Sequence, residues 1–164
     1  MGYNIVDLID RAIDTGNKVI EIYIDMNKEY DDINSFKIFS KIFMKYEKEK
    51  IDYYHSLKIK LNKGKIKEID IYIYDKISSL IAQFNNKISI NCYKDKTIKE
   101  FIECVLNMNK DIRALFIDIR GRMIQKNGDG DSYEYEILAD IIKMEEKYIK
   151  DLERVYKNKG FIIK

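Results

Sequence analysis

Residues 39–57 read FSKIFMKYEKEKIDYYHSL. Phe39, Phe43, Tyr46, Tyr53 and Leu57 recur there in a series with steps of four and three, and Lys50 takes the middle position of the series. Such steps put side chains on one face of an α-helix. Three more stretches keep the rhythm. One runs Ile5, Ile9, Ala12, Gly16, Val19, Tyr23, Met26. The next runs Ile98, Ile102, Val105, Asn109, Ile112, Phe116, Ile119, Met123, and the last Leu138, Ile141, Glu145, Tyr148, Leu152, Val155. Four apolar faces of this kind must bury against one another, so the spacing predicts an all-α four-helix bundle. Each stripe is broken once, by Gly16, Lys50, Asn109 and Glu145. A gap, a cation, an amide and a carboxylate are therefore expected in one layer at the centre of the core.

The first helix is expected from about Asn4 to Asn27, with a turn at Asp31, Asp32 and Asn34. The second runs from about Ser35 to Leu61 and stops at Asn62-Lys63-Gly64. The third starts near Asp95 or Thr97 and ends near Gln125. After the loop at 126–130, Asp131 and Glu134 have capping-box spacing for a fourth helix that reaches about Asn158. Short turns make each consecutive pair an antiparallel hairpin. The connection from Gly64 to Asp95 is too long for a turn and suits a crossover along the bundle. Ile73, Ile77, Leu80, Ile81 and Phe84 predict a short amphipathic helix within it. Alternation over 69–74 also suits a strand, but a lone strand has nothing to pair with. The halves repeat each other: Ala12, Gly16, Val19 and Tyr23 match Val105, Asn109, Ile112 and Phe116 in spacing. Residues 1–164 are expected to form a single domain.

Composition supports this reading. The 164 residues are 46% apolar and contain no proline, which suits long uninterrupted helices. Thirty Lys and Arg against 28 Asp and Glu give a net charge of +2, with lysines spread along the chain. That balance argues against nucleic acid as the main partner. No apolar run approaches the roughly 20 residues that cross a bilayer, and the first residues lack signal-peptide and myristoylation patterns. A cytoplasmic protein is expected, with Cys92 and Cys104 as reduced thiols.

Three segments resemble helices of the ferritin-like superfamily, specifically the rubrerythrin-type diiron domain. Residues 12–23, AIDTGNKVIEIY, are similar to its first helix, which carries a glutamate seven residues before a tyrosine. Residues 43–50, FMKYEKEK, are similar to its Glu-x-x-His helix. Residues 144–153, MEEKYIKDLE, resemble its second Glu-x-x-His helix. With the long crossover, the resemblance covers about Ile5 to Tyr156. It implies a ferritin-like bundle of two antiparallel hairpins joined by a crossover.

In that family two irons are held by one glutamate from each of two helices and a Glu-x-x-His from each of the others. The resemblance places these positions at Gly16, at Glu47 and Lys50, at Asn109, and at Glu145 and Tyr148. Two carboxylates remain of six ligands, and neither histidine does. The expectation is a vacated metal site with no catalytic residue and no cofactor. In its place the Lys50 ammonium pairs with Glu145, Glu47 or both, helped by Asn109 and the Tyr148 hydroxyl, with Gly16 leaving room for the lysine or a water; the alternative is that Lys50 snorkels out of the core and the layer is inert. The chain then acts as a non-catalytic binding or structural module. The competing reading is a rubrerythrin-like peroxidase or ferroxidase that binds iron at an atypical carboxylate site, drawing on Asp14, Glu21, Glu49 or Asp111. His55 is read as a flank histidine. Asn127, Asp129 and Asp131 are spaced like part of a calcium loop, but Ser132 and Leu138 replace its glycine and glutamate. A homodimer packed along helix faces and an unidentified protein partner fit the reading; nucleic acid and membrane do not.

Overall fold

A computed structural model describes residues 2–30, 34–61, 64, 66–91, 97–124 and 132–158. These form five helices and, among the described residues, no strand: α1 (Ile5–Glu29), α2 (Asn34–Lys60), α3 (Ile71–Asn91), α4 (Ile98–Arg122) and α5 (Tyr133–Asn158). Four of the starts have a local cause. Asn4 accepts from Val6 N at 2.8 Å while Asp7 accepts from Asn4 N at 2.7 Å, a reciprocal cap for α1. Thr97 and Glu100 do the same for α4. The Asp70 carboxylate accepts from Tyr72 N at 2.9 Å and starts α3. At α5 the capping oxygen belongs to Ser132, which accepts from Tyr135 N at 3.2 Å. Asp131 lies outside the described residues. Glu134, its expected capping partner, instead accepts from Lys67 N at 3.0 Å and ties the crossover to α5.

Side-chain pairs give the helix directions. Asn27 meets Ser40 and Asp10 meets Lys58, so α1 and α2 are antiparallel. Glu103 meets Tyr156 and Lys110 meets Glu153, so α4 and α5 are antiparallel. The two hairpins pack so that α2 and α4 run parallel: Phe36 and Phe43 touch Phe101, and Lys50 reaches Asn109. Parallel helices need a return path, and α3 supplies it. Tyr3 stacks on Tyr74 at 3.7 Å and the Thr15 hydroxyl donates to Asn85 at 3.2 Å, so α3 climbs alongside α1. The expected short helix is in fact 21 residues long. Retracing helices of 25–27 residues takes over 30 Å, and 21 helical residues give about 31 Å. Its apolar face continues past Phe84 to Ile88, with Tyr74, Ile77, Ile81 and Ile88 buried. Ile69 makes no strand: its N–H donates to Tyr3 O at 2.7 Å, two residues before the helix begins.

Where α2 and α4 begin, Tyr30, Phe36, Phe39, Phe43 and Phe101 form a chain of ring contacts. Toward the opposite end Ile5, Leu8, Ile9 and Leu57 are buried together with Tyr74 and Phe116. Burying a side chain of this size contributes about 1.5–3 kcal/mol, which leaves room for one costly polar layer between the two ends.

Candidate functional site

The stripe interruptions do meet. Lys50 and Glu47 lie one turn apart on α2, Asn109 comes from α4 and Glu145 from α5, and all four are buried. The Lys50 ammonium lies 2.9 Å from Glu145 Oε2, 3.2 Å from Glu47 Oε2 and 3.2 Å from Asn109 Oδ1. Its three N–H donors thus have three acceptors. Asn109 is oriented by its own Nδ2, which donates to Val105 O at 2.8 Å. The remaining oxygen of Glu145, Oε1, accepts from the Tyr54 hydroxyl. Among the described residues no buried side-chain nitrogen or oxygen lacks a partner.

Burial and charge act against each other here. Burial raises the Glu47 carboxyl, Lys50 lowers it and Glu145 raises it again, leaving it at about 7. Burial lowers the Lys50 ammonium, but Glu145 and then Glu47 outweigh that and leave it raised. Lys50 is 1% exposed, yet it is held in its charged form by two carboxylates. Burial, then Glu145, pushes the Tyr54 phenol well up, so it stays a donor. One ammonium therefore sits between one close carboxylate and a second that is half protonated near neutral pH.

Two expected positions play other parts. Tyr148 is buried, but its hydroxyl donates to Glu49 Oε2 at 3.0 Å, on the outer side of the layer. What it offers Lys50 is its ring, 5.8 Å from the ammonium. The phenol inside the layer is Tyr54, next in the chain to the Tyr53 of the expected stripe. The buried face of α2 runs Phe36, Ser40, Phe43, Glu47, Lys50, Tyr54, Leu57, while Tyr46 and Tyr53 are half-buried. That series also has steps of four and three, but polar Ser40 and Glu47 disguised it. Gly16 leaves no room for a lysine or a water. A Cβ there would stand 2.9 Å from Ile51 Cγ1 and 3.2 Å from Glu47 Oε1, so the missing side chain lets α1 close onto α2.

Asp14, Glu21, Glu49, Asp111 and His55 are all exposed, and none turns into the layer. Cys104 is half-buried in α4; Cys92 and the loop at 127–131 lie outside the described residues. The donor set does not fit a diiron carboxylate centre, because an ammonium stands between the two carboxylates and no imidazole is present. Among the described residues no group of three or more His, Cys, Asp or Glu side chains is placed to hold a metal. No described helix is long and apolar enough to cross a membrane. Comparison with known protein families, with curated proteins and with solved structures found no match.

Proposed function

We propose that this chain is a rubrerythrin-like member of the ferritin-like superfamily that has given up its diiron site and works in the cytoplasm as a non-catalytic binding or structural module. The observation that carries the reading is the Lys50 ammonium. It lies within 3.2 Å of Glu47, Glu145 and Asn109, three of the positions that the resemblance assigns to metal ligands. A fixed cation there does the electrostatic work of a metal, holding carboxylates together inside an apolar bundle, but has no open coordination position and no redox chemistry. The antiparallel hairpins and the long crossover helix support the same reading. Fold likeness alone carries no activity.

The test is iron content. Protein exposed to ferrous iron without oxygen and then desalted is expected to retain far less than one iron per chain by elemental analysis. Close to two irons per chain would overturn the proposal and revive a peroxidase or ferroxidase. Lys50→His supplies a second check. The added imidazole still lacks the remaining ligands, so the variant is expected to retain no iron either.

A further inference from the structure

We infer that the outer face shared by α2 and α5 binds the phosphate backbone of a nucleic-acid duplex without reading its sequence. Lysines that look scattered along the chain are gathered by the fold. On α5 the exposed positions 143, 147, 150, 154 and 157 keep steps of four and three, and every one is Lys or Arg. Together they make a cationic row about 21 Å long. On the neighbouring helix Lys41, Lys45 and Lys48 are exposed in the same rhythm. The rows lie side by side. The Tyr46 and Tyr148 rings touch at 5.6 Å and Tyr148 donates to Glu49, which sets Lys45 and Lys48 level with Lys147 and Lys150.

Acids on this face are fewer. Glu49 and Asp52 are exposed, Glu146, Asp151 and, at the edge beside Tyr53, Asp140 are half-buried, and Glu153 turns away to Lys110 on α4. Eight cations against five acids, on a chain whose total is +2, leave the rest of the molecule net negative. The exposed charges of α1 illustrate this: Asp14, Glu21, Asp25 and Glu29 against Arg11 and Lys28. Among the described residues none of the seven lysines of the patch is in an ion pair, and Arg154 has only a 3.7 Å contact with Asp151.

Chemistry narrows the partner. Seven of the eight cations are lysines, point charges that suit phosphate and lack the planar fork that reads a base edge. Within 41–52 and 143–157 no large apolar side chain is exposed, and Ile38, one turn before Lys41, is a single exposed isoleucine at the edge of the row. One isoleucine makes no apolar face for a lipid bilayer, and no exposed ring stands there to stack the bases of a single strand. A regular duplex, with one phosphate per about 3.4 Å on each strand, needs neither.

The experiment is fluorescence anisotropy with a labelled DNA duplex of arbitrary sequence and the full chain. If about four phosphates are neutralised, affinity falls by roughly two orders of magnitude between 50 and 200 mM salt. Lys143→Gln/Lys147→Gln/Lys150→Gln is expected to weaken binding at least tenfold and to make the salt slope shallower by about three. Lys41→Gln/Lys45→Gln/Lys48→Gln tests the second row separately, with thermal melts confirming that both variants fold. Lys28→Gln/Lys76→Gln/Lys99→Gln removes the same charge from three other helices and is expected to stay within twofold of wild type. Equal losses in this control set would overturn the inference, as would no binding at 50 mM salt. Tighter binding to single strands or to phosphatidylserine vesicles than to duplex would overturn it in favour of that ligand. The readout does not involve iron, so it stands or falls apart from the metal-free reading of the core.

Discussion

Lys50→Met removes the only cation from a layer that holds two buried carboxylates, and the cost follows from proton uptake. The methionine fills similar space, so cavity terms are small. Without the ammonium, a carboxylate that Lys50 kept ionised must either stay charged in the core or take a proton. Protonating one carboxyl at pH 7, from an ordinary value near 4.3, costs about 4 kcal/mol at about 1.4 kcal/mol per pH unit. Glu47, raised to about 7, is already half protonated there and adds little. The figure agrees with the roughly 3–5 kcal/mol typical of a buried pair broken on one side. At about 2–4 °C per kcal/mol for a chain of this size, the melting temperature should fall by roughly 8–16 °C at pH 7. At pH 5 the same proton costs only about 1 kcal/mol, and the loss should shrink to a few degrees. Thermal denaturation by circular dichroism at both pH values reads this directly. A loss that is the same at both, or one under 3 °C at pH 7, would refute the argument that Lys50 compensates buried charge.

Glu47→Gln should alter the pH profile rather than the plateau. Glu47 is raised from 4.5 to about 7, so the folded chain binds a proton that the unfolded chain has released. Its contribution of about 3 kcal/mol is fully present below 4.5 and is lost as pH rises to about 7. The variant should lack that decline and match or exceed wild type at pH 8; parallel melting curves over pH 4.5–8 would exclude Glu47 as the titrating group. Tyr54→Phe leaves Glu145 Oε1 without its donor and should cost about 1.5–3 kcal/mol, whereas Tyr53→Phe should cost under about 0.5 kcal/mol. Equal effects in denaturant titrations would restore the stripe read from the sequence. Gly16→Ala gains up to about 1 kcal/mol of helix propensity but forces Ile51 and Glu47 aside at about 1–3 kcal/mol. A net loss near 1 kcal/mol is expected, and a rise in melting temperature would show that α1 and α2 have slack at that point.

Much of the layer was legible in the chain because helical periodicity is a local property. Lys50 and Glu145 break apolar stripes at the level of Gly16 and Asn109, and a bundle that buries those stripes in register brings the four to one level. Tyr54 was missed for a physical reason. Two adjacent tyrosines offered two helical registers, and local sequence cannot choose between faces 100° apart when both carry apolar rings. The choice was made by packing, because α5 brings Glu145 to the side on which Tyr54 lies. The length of α3 was hidden for a similar reason. The distance it must span is set by helices far away in sequence.

The sequence by itself determined that the chain is helical, where the four bundle helices run, and that one charged layer interrupts its core. Those facts rest on spacing and on the cost of burying polar groups, and both act within a few turns of helix. Only the tertiary structure decided which carboxylate takes the ammonium at 2.9 Å, which phenol serves that carboxylate, and that Tyr148 faces Glu49 instead. It also decided that seven of the scattered lysines share one outer face of α2 and α5. Net charge is a sum over the chain, whereas a partner meets a surface, and only the packing of α2 against α5 turns the one into the other.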